Sequence, residues 1–390
     1  MTEKSNNVED WLHKLGQPSA DRDYKPGHER VHQLLGRLHL NRPSLRVRIA
    51  GTNGKGSTAH MLAAALASCS LRVGLYTSPH IHRFNERIRI DGKAVGDAEL
   101  LLYLEQLMPT ALACGASYFE MATALALACF SEAHVDAEIL EAGVGARLDA
   151  TTAVPADMAL ITPIGLDHQA WLGGAVEDIA AEKACAMNGC RYAISSPQLS
   201  EVVRVLSAHR PDIVFTQAGL SFPALTMRGD FQRINAGLAY EAVRQLHGDA
   251  WEGIDPEAAA RAIAATRVPG RMQMISLRGC RIWLDAAHNQ QAVEAVAKAC
   301  AAMNERFDAI FVFTREDRDL VDALPLLRPL CRRLVANIQI SGMTDASYAN
   351  IESALSAEIS SQSAGSFLVL GSFISVAAAE DWLQEKTQSK

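Results

Sequence analysis

The chain has 390 residues, with 37 lysines and arginines against 44 aspartates and glutamates and a formal net charge of -7. No basic block offsets that balance, which argues against a nucleic-acid partner. A composition 49% hydrophobic and 21% charged is that of a soluble globular protein, and the length predicts two domains. The 8 cysteines are scattered, without a Cys-x-x-Cys pair, and read as free thiols in a reducing compartment. Cys185 and Cys190 have no histidine nearby at metal spacing. Met1 to Asp10 is polar and lacks a signal-peptide core, and no apolar run approaches membrane-spanning length, so the expected location is cytoplasmic.

Residues 1–45 read as helical, with amphipathic stretches from Val8 and over Glu29 to Leu40, joined by the turn-rich Asp21 to His28. A short apolar run, Val47 to Ala50, then reads as a strand. It meets Gly51-Thr52-Asn53-Gly54-Lys55-Gly56-Ser57-Thr58, and a helical segment follows to Leu71. Strand, glycine loop and helix form the setting of a phosphate-binding loop: glycines let N–H groups turn onto an anion, and the helix start adds its dipole. Lys55 can reach terminal phosphates, and Ser57 or Thr58 can join a Mg²⁺ shell. The spacing is unusual, because Gly56 separates Lys55 from Ser57.

Arg72 to Thr77 reads as a second strand. It ends in Ser78-Pro79-His80 and the charged Arg83-Phe84-Asn85-Glu86-Arg87, which faces either a ligand or solvent. Residues 97–133 read as helical, with Glu120 either capped and structural or pointed into a site. Strands Ala137–Leu140 and Met158–Thr162 deliver Glu141 and Asp167-His168 to the edge that carries the glycine loop, if the sheet is parallel. A carboxylate and an imidazole there suit a hard cation bridging phosphates; a capping Asp167 and a surface His168 are the other reading. Lys183, on a helical stretch, reads from pattern alone as solvated. Helices are expected from Phe231 and over Pro256 to Ala265. Strands Arg281–Asp285, Ala309–Phe313, Arg333–Asn337 and Ser366–Leu370 then alternate with helices and predict a smaller, parallel-type sheet. The expected domains are residues 1–275 and 276–390, with the site in a cleft between them.

Several segments in this order resemble the folylpolyglutamate synthase/dihydrofolate synthase family of the Mur ligase superfamily. They are Gly51 to Ser57, Tyr76 to His80, Arg83 to Arg87, Arg147 to Thr151, Gly165 to His168, Glu182-Lys183-Ala184, Pro269-Gly270-Arg271, Asp285 with Ala287-His288-Asn289, and Leu370-Gly371-Ser372-Phe373. The resemblance implies a large domain with a phosphate-loop-type, mostly parallel sheet and a smaller Rossmann-like α/β domain. It implies a ligase that uses ATP to phosphorylate a substrate carboxylate, which an amino-acid amine then attacks. The implied partners are ATP, L-glutamate and pteroate or folate, with Mg²⁺ at two sites and the chain a monomer. On the motif positions, Gly51, Thr52, Asn53, Gly54, Lys55, Gly56, Ser57 and Thr58 would hold phosphates. Ser57, Glu141, His168 and a carbamylated Lys183 would serve the metals. Arg271 would reach the phosphates, Asp285 the ribose and His288 the nucleotide, with Gln232 and Asn235 near adenine. Ser78, Pro79, His80, Tyr118, Phe119 and Asp149 would face the substrate.

The chain departs from the family pattern at Ala146, Cys185, Gln290, Lys25 to Arg30 and Glu316 to Asp319. Those departures leave open a different, non-folate acid, or a nucleotide-binding regulator that has lost turnover.

Overall fold

The computed structural model describes residues 7–16, 26–217, 223–249, 251, 253–315, 320–359 and 364–388. The Asp21–Lys25 part of the expected turn and the departing stretch Glu316 to Asp319 lie outside them. The chain folds as two compact units, one of Met1–Ala224 with Arg233–Thr266, the other of Leu225–Gln232 with Arg267–Lys390.

Among the described residues the first unit has eight strands: β1 (Leu45–Ala50), β2 (Val73–Tyr76), β3 (Ile88–Ile90), β4 (Lys93–Ala94), β5 (Ala137–Glu141), β6 (Met158–Ile161), β7 (Tyr192–Ser195) and β8 (Val214–Phe215). Their order is β4-β3-β2-β5-β1-β6-β7-β8. Every pairing from β2 to β8 is parallel. The sequence reading missed the antiparallel β3–β4 edge, although Asp91-Gly92, both at positive φ, is a hairpin turn signal. Its helices are α1 (Val8–His13), α2 (Glu29–Leu35), α3 (Lys55–Ser68), α4 (Asp97–Cys114), α5 (Tyr118–Glu132), α6 (Gln169–Leu172), α7 (Val176–Ala184), α8 (Ser200–His209), α9 (Asp230–Gly248), which belongs to it from Arg233 on, and α10 (Pro256–Ala265).

Two expectations need correction. The helical run over 97–133 is broken, because Gly115 takes a left-handed conformation after α4 and Ser117 with Glu120 caps a new helix. Strand β1 is longer than its apolar run and is buried throughout, Arg46 and Arg48 included. Both arginines are tolerated because partners surround their guanidinium groups, although the buried Arg48 Nε has no hydrogen-bond partner. Arg46 lies opposite Glu138 on β5 and pairs with it at 2.5 Å. Arg48 donates to the carbonyls of Thr152, Val154, Ala186 and Asn188.

Among the described residues the second unit has six strands: β9 (Gln273–Leu277), β10 (Cys280–Leu284), β11 (Phe307–Val312), β12 (Cys331–Ala336), β13 (Ala346–Ser347) and β14 (Gly365–Leu370). Their order is β13-β12-β11-β14-β10-β9. Helices α11 (Gln290–Ala302), α12 (Leu324–Leu327), α13 (Ile351–Ile359) and α14 (Phe373–Gln388) accompany them. The four expected strands form the parallel body, and β9 adds an antiparallel edge. Among the described residues no helix is long and apolar enough to cross a membrane.

Candidate active site

In the first unit β1 lies between β5 and β6, so the three strands release their chains at one sheet edge. Gly51 leaves β1 at φ +144°, where a Cβ would stand 2.0 Å from Thr162 Oγ1. Gly54 caps α3 at φ +90°, with Asn235 Oδ1 2.2 Å from a Cβ built there. Only glycine fits either position. The loop is fixed to the segment after β6: Thr52 and Asn53 N–H donate to Pro163 O at 3.0 and 3.2 Å. Thr52 Oγ1 donates to Gly165 O at 3.0 Å and accepts from Gly165 N–H at 3.1 Å. The glycine loop and the stretch carrying Asp167-His168 are thus one rigid piece.

Positive charge converges there. Lys55 Nζ donates to Gly51 O and Thr52 O at 3.3 and 3.2 Å. Lys183, 2% exposed on α7, donates to the same Gly51 O at 2.7 Å. The solvated reading of Lys183 is therefore wrong: the lysine is buried against the loop. Burial, and then the Lys55 charge, push the Lys183 ammonium down from 10.5 to about 7, against the pull of Asp167 and Asp149. Ser57 and Thr58 are buried in the first turn of α3. Glu141 ends β5 with its carboxylate 3.4 Å from where a Gly56 side chain would begin, and accepts Ser78 N–H at 2.9 Å. His168 sits at φ +51° with Nε2 3.9 Å from Asp167 Oδ1.

Among the described residues no three or more His, Cys, Asp and Glu side chains gather as a metal cluster. Glu141 and His168 are the only residues of those types in the expected set. A carboxylate beside a helix start and two lysines suits a polyphosphate with a hard cation.

The expected substrate-facing residues behave differently from one another. Asp149 is 2% exposed, and both its oxygens are engaged by Gly143, Val144 and Thr151 N–H and the Thr151 hydroxyl, at 2.6 to 3.2 Å. It fastens its own loop. Burial raises its pKa against those bonds. Glu120 is structural, holding Ser117 and the Arg30 guanidinium. Phe119 packs on Gly143 and Tyr76. Tyr118, Phe84 and His80 form a run of ring contacts. Ser78–Pro79 is a cis peptide.

In the second unit Gly270 N–H donates to Gln273 Oε1 at 2.7 Å, and Arg271 lies with Cζ 4.7 Å from the Phe373 ring centre. Asp285 accepts Met272 and Ala287 N–H at 2.8 and 2.9 Å. Burial raises the Asp285 pKa, and Arg271 opposes that. His288 Nδ1 donates to Ala286 O at 2.8 Å, and its ring lies 6.1 Å from that of Phe373. Phe373, the last residue of the Leu370-Gly371-Ser372-Phe373 segment, is thus the shared platform of Arg271 and His288. Gln232 and Asn235 are buried. Asn235 belongs with the first unit and Gln232 with the second.

Two lysines meeting on one loop carbonyl at a helix start, in an α/β unit, suit a polyphosphate anion. No family model matches the chain. It is 33% identical over 318 residues to the dihydrofolate synthase/folylpolyglutamate synthase of Bacillus subtilis, covering 73% of each. It spans 37% of a probable bifunctional folylpolyglutamate synthase/dihydropteroate synthase of Halobacterium salinarum, at 32% identity over 312 residues and 71% of this chain. The structure of E. coli FolC in complex with DHPP and ADP matches with a TM-score of 0.83 at 26% identity over 98% of both chains. A bifunctional folylpolyglutamate synthase/dihydrofolate synthase with Mn, AMPPNP and L-glutamate bound gives a TM-score of 0.80 at 27% identity, covering 97% of this chain and 98% of that one. The chain belongs to the dihydrofolate synthase/folylpolyglutamate synthase family.

Proposed function

We propose that this chain is an ATP-dependent ligase that joins L-glutamate to dihydropteroate, to reduced folates, or to both. The observation that carries the reading is the glycine loop itself: Gly51 and Gly54 sit at positive φ where no side chain fits, at the start of α3, with Lys55 folded over the Gly51 and Thr52 carbonyls. A carboxylate oxygen of the acid attacks the terminal phosphorus of ATP, and ADP leaves. The glutamate amine then attacks the acyl phosphate, releasing phosphate and forming the amide. Chemistry of this kind is governed by positioning and charge neutralisation. In this reading the loop N–H groups, Lys55 and Arg271 take the phosphates, Asp285 and His288 act on the nucleoside side, and Asn235 and Gln232 lie toward adenine. Ser57, Glu141 and His168 would hold Mg²⁺, which would offset charge on the phosphate oxygens.

A lysine that titrates at about 7 is an available amine at neutral pH. The ammonium of Lys183 gives up one proton to become that amine, and the amine adds CO₂ and gives up a second, so that a cation becomes a carbamate anion that would support the metal. The substrate acid lies beside Ser78, Pro79, His80, Tyr118 and Phe119, with Asp149 shaping the loop behind. The protein works as a cytoplasmic monomer, which light scattering would check.

The decisive assay is phosphate release with dihydropteroate plus glutamate and with tetrahydrofolate plus glutamate, each component omitted in turn. Release with either complete pair and none in the omissions is expected. Release only with other acids would move the substrate outside the folates. Silence across a broad acid panel would make the chain a nucleotide-binding regulator.

A further inference from the structure

The segment Arg83 to Arg87 ends in an arginine whose surroundings differ from those of its charged neighbours. Arg83 is exposed and bound by both oxygens of Asp97, at 2.8 and 2.9 Å. Glu86 turns back to accept the N–H groups of Ile81, His82 and Arg83. Arg87 is 5% exposed, and no carboxylate comes within ion-pair distance of it among the described residues. Its Nε donates to His80 Nδ1 at 2.9 Å. Its Cζ lies 5.3 Å from the centre of the Tyr118 ring and 6.0 Å from that of Phe84. Its two terminal amino groups donate to nothing among the described residues.

The acids around it are already engaged. Glu9 accepts Phe84 N–H, Glu86 its three amides, Glu120 Ser117 and Arg30, and Asp149 its own loop. His80 cannot supply a counter-charge, since Nδ1 accepts from the guanidinium and the ring is neutral. A buried cation held by rings and a neutral imidazole remains underpaid in charge until an anion arrives. The planar fork of a guanidinium fits a carboxylate at two points. Aromatic faces hold the cation in place without neutralising it.

We infer that Arg87, set by His80 and the Tyr118 and Phe84 rings, is the seat of a carboxylate group of one of the substrates. The inference deepens the ligase reading and rests on it. Two sources share this chemistry: the incoming amino acid and the acid to be activated. The test is steady-state kinetics of Arg87→Met and Arg87→Lys in the full chain, varying ATP, L-glutamate and the pteroyl acid in turn. Loss of a charge-assisted, two-point contact raises KM for one carboxylate substrate about ten- to hundredfold, leaves KM for ATP within about twofold, and is partly recovered by lysine. Whichever KM moves identifies the source. If it is glutamate, the wild-type preference for it over its 1-amide collapses in Arg87→Met. Equal shifts in all three KM values, or in neither acid, overturn the assignment.

Should Arg87→Met lose its thermal transition, Arg87→Gln and Arg87→Lys decide by the same criterion. Calorimetric binding of L-glutamate and of pteroate reads the residue without turnover. Carboxylate binding that weakens in the variant while the wild type is silent in turnover overturns the ligase reading alone. Equal binding by both proteins, or none by either, overturns the Arg87 assignment.

Discussion

Replacing Lys183 by methionine will abolish turnover and yet stabilise the protein near neutral pH. In the unfolded chain this lysine keeps its proton to about pH 10.5, whereas in the folded protein it releases it near pH 7. Between those values the unfolded state binds more protons, so stability rises with pH and is lost as pH falls toward 7. A drop of proton affinity from 10.5 to about 7, at about 1.4 kcal/mol per pH unit, is a cost of about 5 kcal/mol at neutral pH. Methionine fills similar volume without that cost, but forfeits the bond to Gly51 O, worth roughly 1 to 3 kcal/mol. The net gain is about 2 to 4 kcal/mol, or roughly 4 to 8 °C in Tm for a unit of this size. At pH 9.5 the charge cost falls to about 1 kcal/mol and the advantage disappears. Thermal unfolding of both proteins in bicarbonate-free buffer from pH 7 to 9.5 measures it. A variant no more stable than the parent at pH 7, or a difference constant across the range, would refute the buried-amine argument.

Further outcomes follow from other parts of the first unit. Glu138→Leu strands the Arg46 charge in the sheet and costs about 3 to 5 kcal/mol in urea unfolding, while adding Arg46→Leu restores most of it; a double variant as weak as the single one would contradict this. Gly54→Ala forces a Cβ onto Asn235 at φ +90°, so calorimetry should show ATP binding lost, and unchanged affinity would remove the loop from the site. His80, pushed down to about 4 by burial and then by Arg87, keeps one neutral tautomer in NMR from pH 8 to pH 5. Its contribution to stability disappears as pH falls from 6.5 toward 4, and titration near 6.5 would show the Arg87 contact to be absent.

The sequence by itself determined what local rules can carry. A glycine loop between a strand and a helix, and strands ending in Glu141 and Asp167-His168, required only periodicity, turn chemistry and the parallel-sheet rule to bring them to one edge. The same rules placed most strands of both sheets. They could not read the charged residues, because a side chain's role depends on what lies across from it. Glu120 was ambiguous until Arg30, 90 residues away, was seen to share its carboxylate with Ser117. Arg46 and Arg48 break the apolar pattern of β1, and Glu138 with five distant carbonyls explains their burial. Lys183 reads as an ordinary helical lysine over its own few residues, and the fold carries it 132 positions back to Gly51 O. Backbone form is set by neighbours in the chain, whereas charge and protonation are set by neighbours in space, which is why the loop was legible in the sequence and the state of Lys183 was not.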